Sequence, residues 1–268
     1  MATIENGPGP RELAESAESA TSPELAGKRA LVTGGTRGIG AAIVRQLLDA
    51  GADVLTTARS EGSVVPEGAG FVAADVRTRA GAEALALAAR ERLGGVDILV
   101  HNAGGAAPYK GALAIPDEAW QDALDLNFLA SVRLDALLAP GMRERRSGTI
   151  VHVSSAAVPT VAPPFLHYTT AKAALENYSR GLAAELAPSG IRVNTVSPGR
   201  TATPGGEATR EQWAHIDEGP GQDDTAPPLG RDGLPDDIAN AVLFLATERA
   251  SWLTGSNIVV DGGEFPRG

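Results

Sequence analysis

The chain has 268 residues, 43% of them hydrophobic and 21% charged, which is enough for one large α/β domain with a full core. Its 23 basic and 33 acidic residues leave a net charge of −10, which argues against nucleic acid and anionic membrane surfaces as partners. There is no cysteine, so disulfides, thiolate chemistry and sulfur-rich metal sites are excluded, and a cytoplasmic setting is the expectation.

Residues 1–27 are rich in Ala, Glu, Ser, Pro and Gly and lack the apolar stretch of a secretory signal; they read as a disordered tail. No apolar run approaches the roughly 18 residues of a membrane span. From Lys28 onward, short apolar runs alternate with amphipathic stretches. That pattern predicts a single α/β domain over 28–268: a Rossmann-type, doubly wound sheet of about seven parallel strands with helices on both faces. Strands are expected at 29–33, 53–57, 70–73, 96–100, 149–153, 192–196 and 258–260. Helices are expected at 39–50, 79–93, 117–145, 167–186 and 235–247. Pro140-Gly141 predicts a kink or break near the end of the third helix, and Pro188 to Gly190 stops the fourth. The long stretch 203–234, rich in proline, glycine and acids, reads as a substrate lid, with a helical piece at 206–217.

Strand one runs into Thr33-Gly34-Gly35-Thr36-Arg37-Gly38-Ile39-Gly40 and then a helix. Glycines there permit a tight turn and let backbone N–H groups approach a pyrophosphate at a positive helix N-terminus, so Gly34, Thr36, Arg37, Gly38, Ile39 and Gly40 are candidate cofactor residues. Near the end of strand two, where an acid would bond a ribose 2′-hydroxyl, the sequence reads Leu55-Thr56-Thr57-Ala58-Arg59-Ser60. It has no acid and offers Arg59 and Ser60. Two guanidiniums, Arg37 and Arg59, suit a dianionic 2′-phosphate and point to NADPH/NADP+.

Tyr168 and Lys172 stand at i and i+4 near a helix start, on one face and about 6 Å apart along the axis. A free tyrosine has a pKa of about 10; a nearby ammonium is expected to lower it toward the working range. Thirteen residues before Tyr168, at the end of strand five, Ser155 is placed to hold a carbonyl oxygen beside the phenol. His152 and His215 have no assigned role, and no His/Asp/Glu cluster shows metal-ligand spacing, so no metal is expected.

The Gly-x-x-x-Gly-x-Gly spacing of Gly34, Gly38 and Gly40, with the Ser155, Tyr168 and Lys172 set, resembles the short-chain dehydrogenase/reductase family, bacterial ketoreductases in particular. The resemblance covers nearly the whole chain after residue 28. It implies that Asn127 completes a catalytic tetrad through a water chain to Lys172, which also holds the nicotinamide ribose beside Tyr168. It maps Asp75 and Val76 onto the residues that hold the adenine. His101-Asn102-Ala103-Gly104 matches the family's Asn-Asn-Ala-Gly, with His101 in place of the first Asn and read as structural. Pro198-Gly199-Arg200-Thr201-Ala202-Thr203 resembles the segment that closes over the nicotinamide; Thr203 falls on its usual hydroxyl position and Thr201 replaces a usually apolar residue. The ending, Leu253-Thr254-Gly255 and Val260-Asp261-Gly262-Gly263, is similar to the family's interface-forming tail and implies a homotetramer or homodimer.

The expected reaction is NADPH-dependent reduction of a ketone to a secondary alcohol, with Tyr168 as proton donor. Stretch 156–167, with Pro159, Pro163, Pro164 and Phe165, reads as a rigid apolar wall faced by Trp213 and Ile216, or else as core packing around the lid. His167 either touches substrate or is a surface or packing residue. An apolar or polyketide-like ketone of bacterial secondary metabolism is the expected substrate. A carrier-bound 3-oxoacyl thioester is the alternative, recognised by Arg133, Arg143, Arg145 and Arg146. An alcohol dehydrogenase running in the oxidative direction and a non-catalytic NADP(H)-binding scaffold are the remaining alternatives.

Overall fold

The computed structural model describes residues 23–160, 162–216 and 226–265. Seven strands, β1 (Arg29–Thr33), β2 (Asp53–Ala58), β3 (Gly70–Ala73), β4 (Ile98–His101), β5 (Gly148–Val153), β6 (Ile191–Pro198) and β7 (Asn257–Val260), form one parallel sheet in the order β3-β2-β1-β4-β5-β6-β7. The helices are α1 (Gly38–Asp49), α2 (Arg79–Leu93), α3 (Asp117–Leu124), α4 (Ala130–Arg145), α5 (Leu166–Leu186), α6 (Pro204–Ala214) and α7 (Pro235–Ala246).

Successive side chains of a strand point to opposite faces, so an apolar run such as Ala30-Leu31-Val32 serves two cores at once. On one face Val32, Val100, Val153 and Val196 pack under Ile43 and Leu47 of α1 and Val242 and Leu245 of α7. On the other, Leu31, Leu99, Ile150 and Val193 pack under Leu85 of α2 and Leu134 and Met142 of α4. The chain winds outward from β1 to β3 and then returns to β4 on β1's other side. That reversal opens a crevice at the C-terminal strand ends, where Thr33, His101 and His152 stand in register.

Residues 23–27, expected to belong to a disordered tail, pack against the domain instead. Residues 1–22 lie outside the described residues, but Leu25 is 2% exposed, packs into the core under α1, and its N–H bonds to Ala50 O at 2.8 Å. One large apolar side chain is enough to anchor this short segment. Strand β4 begins two residues later than expected, at Ile98, because the Asp97 side chain receives both the backbone N–H and the guanidinium of Arg29. Pro140 does not break its helix: α4 runs through it, anchored on both sides by buried Leu138, Ala139 and Met142. The irregularity lies earlier, in a π-helical turn at Asp125–Leu129 that carries Asn127. The helix of the expected lid, α6, starts two residues before the expected position, because Thr203 caps it and Pro204 opens it. Residues 217–225 of the expected lid lie outside the described residues.

Candidate active site

The turn between β1 and α1 is shaped by what a side chain would strike. A Cβ on Gly35 would lie 2.2 Å from Thr56 Oγ1, and one on Gly40 would lie 2.1 Å from Gly34 O. Gly34 and Gly38 adopt positive φ, +69° and +54°. Two threonines missed by the sequence reading buttress the turn: Thr56 Oγ1 accepts from Gly35 N, and Thr33 Oγ1 accepts from the backbone N–H groups of Asn102 and Ala103. Asn102 Nδ2 donates to Thr33 O and Gly34 O, so this expected cofactor residue acts as the brace of the turn. The first turn of α1 contains no acid, which leaves its positive end open to an anion. Thr36 and Ile39 lie in the same turn, both half-buried.

Arg37 and Arg59 are exposed and form no salt bridge among the described residues. Ser60, next to Arg59, is exposed as well. Asp75 lies within the field of Arg59 but is itself engaged by Arg77 at 2.7 Å, which holds its carboxyl below the usual range. Val76 beside it is buried in the core. The glycine cradle, the acid-free helix end and two unpaired guanidiniums fit a phosphorylated dinucleotide.

Ser155 follows β5, and Tyr168 and Lys172 rise from the first turns of α5, the π-turn delivering Asn127 from the side. The Tyr168 hydroxyl is hydrogen-bonded to Ser155. Burial pushes the Tyr168 phenol above its ordinary value, and the Ser155 bond only partly opposes this. The expected lowering by Lys172 is therefore not the prevailing effect in this structure; desolvation of a buried phenolate outweighs it. Lys172, 4% exposed, sits 6.0 Å from the centre of the Tyr168 ring and donates to Val153 O at 2.7 Å. Burial drives its ammonium down to about 8, with Glu176 pulling the other way. Asn127 spends its amide on backbone: it accepts from Gly105 N and donates to Gly105 O and Ala123 O. A Cβ on Gly104 would lie 3.0 Å from Asn127 Oδ1 and 3.2 Å from Lys172 Nζ, so Gly104, beside Ala103, lets the strand-four loop pass close to both.

The β6 end closes the crevice. Gly199 N bonds to Val260 O, Pro198 is the last residue of β6, and Thr201 Oγ1 donates to Gly199 O. Thr203 caps α6, and a Cβ on Gly38 would lie 3.3 Å from its side chain, which brings the start of α6 against the glycine turn. Along α6, Thr209 Oγ1 donates to Ala106 O, and Trp213 meets Phe165 edge-on with ring centres 4.9 Å apart. The stretch expected to form the pocket wall and the helix of the expected lid thus touch through Phe165 and Trp213. His167 is a packing residue: it is buried against Tyr109 and Trp120, and burial lowers its pKa.

The fold also assembles a cluster that residue spacing hid. His101 and His152, cross-strand partners on β4 and β5, stack with ring centres 4.8 Å apart, and each Nε2 contacts one oxygen of Asp135, at 2.8 and 3.1 Å. The sequence showed no metal-ligand spacing because these residues are 34 and 17 positions from Asp135. Their ligand-type atoms lie within 4.8 Å of one another. The one-to-one pairing of the two ring nitrogens with the two carboxylate oxygens is the geometry of two hydrogen bonds onto a buried carboxylate. His152, given no role from the sequence, also contacts Ser179 Oγ at 3.1 Å. A cavity of about 460 Å³ lies at the opposite end of the sheet, lined by Lys28, Asp97, Arg192 and Trp252, away from all of these groups. Among the described residues no helix is long and apolar enough to cross a membrane.

A family model described as enoyl-(acyl carrier protein) reductase matches residues 34–264. The human protein "Dehydrogenase/reductase SDR family member 4" is 36% identical over 89% of this chain and 88% of its own. The chain belongs to the short-chain dehydrogenase/reductase family. It is an oxidoreductase of that family, with the fold of its members. A bacterial relative, the 3-oxoacyl-(acyl-carrier-protein) reductase FabG of Vibrio cholerae, is 35% identical over 90% of this chain and 98% of its own. A single-residue variant of the actinorhodin polyketide ketoreductase, solved with NADPH, superposes with a TM-score of 0.81 at 32% identity, covering 90% of this chain and 98% of that one.

Proposed function

We propose that this short-chain dehydrogenase/reductase reduces a ketone to a secondary alcohol with NADPH. The observation that carries the reading is the Ser155–Tyr168 hydroxyl pair at the end of β5, backed by the buried Lys172 and opening onto a glycine turn flanked by Arg37 and Arg59. Gly34, Thr36, Gly38, Ile39 and Gly40 would hold the pyrophosphate, Arg37, Arg59 and Ser60 the 2′-phosphate, and Asp75 and Val76 the adenine. Asn102, Ala103, Gly104, Pro198, Gly199, Thr201 and Thr203 would line the nicotinamide side. When bound, the cofactor supplies a hydride to the carbonyl carbon.

The chain's own residues handle the oxygen. Ser155 donates to the carbonyl oxygen and fixes its position, polarising the bond before transfer. Tyr168, kept protonated by burial, gives its phenolic proton to the developing alkoxide, a much stronger base than a phenolate. Lys172 holds the ribose and steadies the phenolate that remains, while Asn127 fixes the Gly104-Gly105 backbone beside it. Wall and lid, meeting at Phe165 and Trp213, favour a substrate with an apolar body, such as a polyketide-like ring ketone.

A free ketone is favoured over a carrier-bound thioester by the state of the four arginines offered as a docking patch. Arg133 pairs with Asp125 and Arg143 with Glu185, Arg145 lies 3.4 Å from Asp97, and Arg146 donates to Pro188 O. The assembly we propose is a homotetramer, which light scattering tests. NADPH consumption across cyclic and acyclic ketones tests the function, with Tyr168→Phe as the decisive variant. It should lose about 100-fold or more in kcat while still binding NADPH; wild-type turnover by that variant overturns the assignment.

A further inference from the structure

The reductase reading uses Ser155, Tyr168 and Lys172 but leaves a carboxylate beside them unexplained. Glu176 lies one helical turn beyond Lys172 on α5, so the two side chains share a face of the helix. Its Oε1 accepts from Ser154 Oγ at 2.8 Å, and Ser197 Oγ lies 3.2 Å away. Ser154 is the residue before Ser155, and Ser197 is the residue before Pro198. Ser197 in turn lies 2.9 Å from Asn257 Oδ1 on β7 and shares its single proton between the two acceptors. One half-buried carboxylate thus ties together the ends of β5, β6 and β7 where they face the crevice.

Lys172 has no carboxylate in salt-bridge contact among the described residues; its ammonium donates to the uncharged carbonyl of Val153. A buried cation without a counter-charge is costly. The ionisable groups that face it are Tyr168 and Glu176 on its own helix and His152 on β5, with Asp135 of α4 and His101 of β4 behind that ring. Asp135 is already spent on two imidazoles. Glu176, one turn along the same face of α5, is the carboxylate placed to favour the charged form of Lys172.

We propose that Glu176 is a positioning residue of this active site: its carboxylate supplies the counter-charge for Lys172 and, through Ser154, fixes the strand end that presents Ser155. The proposal rests on the reductase reading for its effect on turnover, but the charge of Lys172 is measurable without substrate. The chain has three lysines, Lys28, Lys110 and Lys172, so lysine side-chain NMR on the whole protein resolves each titration. Wild-type Lys172 should titrate at about 8. Glu176→Gln keeps an oxygen for Ser154 but removes the charge, and should move that midpoint down by about one unit, a tenfold change in the protonation constant. The basic limb of kcat in ketone reduction should move with it. Ser154→Ala, which keeps the charge, should lower kcat several-fold and leave the Lys172 midpoint near the wild-type value. A Glu176→Gln protein that melts cooperatively and keeps the wild-type Lys172 midpoint overturns the electrostatic role. A Ser154→Ala protein with unchanged kcat overturns the alignment role. If the wild type reduces no ketone but its lysine titration shifts as described, the reductase reading fails and the role of Glu176 as counter-charge stands.

Discussion

Gly40→Ala is the substitution whose effect follows most directly from geometry. The added Cβ would lie 2.1 Å from the carbonyl oxygen of Gly34 and 2.4 Å from Asn102 Nδ2. The first is a backbone atom in a turn that cannot swing aside, so α1 must shift by about 1 Å to restore ordinary contact. Overpacking of this kind costs about 1–3 kcal/mol. The shift also strains the two bonds from Asn102 to Thr33 O and Gly34 O, each worth about 0.5–1.5 kcal/mol. A total near 2–3 kcal/mol corresponds to a melting temperature lower by about 4–12 °C for a domain of this size. Because the displaced N–H groups are those proposed to hold the pyrophosphate, NADPH affinity should fall at least tenfold, or about 1.4 kcal/mol. Protein-fluorescence titration with NADPH and a thermal melt read both effects. A Gly40→Ala protein with wild-type NADPH affinity and melting temperature would refute the close-approach reasoning for the turn.

Gly181→Ala provides the contrast: a Cβ there meets nothing within 4 Å on α5, and the exchange should stabilise the protein by about 0.5–1 kcal/mol in a denaturant titration. Replacing Arg37 and Arg59 together by Ala should raise the KM for NADPH at least tenfold and change that for NADH little; equal losses for both cofactors contradict the 2′-phosphate assignment. The buried triad makes stability acid-sensitive. Desolvation depresses the His152 imidazole, and its two imidazole partners hold the Asp135 carboxyl well below the carboxylate range. Both groups therefore take up protons more readily in the unfolded chain, so stability is full above about pH 6.5 and is lost as pH falls below it. His152 acts first and Asp135 follows below about pH 3.9. Denaturant midpoints at pH 7.5 and 5 should show the loss, and His152→Gln should flatten its first part; a wild-type midpoint independent of pH contradicts the assignment.

The central strands were legible because they are short apolar runs whose alternate side chains serve two cores, as Leu31 and Val32 do. The grouping of Ser155, Tyr168 and Lys172, the proposed catalytic set, was legible because the three lie within eighteen residues of one another on a strand end and the helix after it. What escaped depends on contacts between distant segments. The His101–Asp135–His152 cluster joins β4, α4 and β5 across 34 and 17 residues, and no local spacing announces it. Leu25 looked like part of a polar tail because burial of one side chain has no periodicity. The π-turn around Asn127 has no proline or glycine to mark it, whereas Pro140, which does carry a breaker's signature, is overruled by the packing on either side. The engagement of Asp75 by Arg77, and of the four surface arginines by their neighbours, likewise needed the fold to be seen.

The most direct test of the central claim is single-turnover oxidation of bound NADPH on mixing with a ketone, followed in the wild-type protein and in Tyr168→Phe. The account predicts ketone-dependent NADPH oxidation by the wild type and a rate about 100-fold or more lower in the variant, with NADPH binding equal in both. Equal rates in the two proteins would contradict it, and so would bound NADPH that no ketone oxidises.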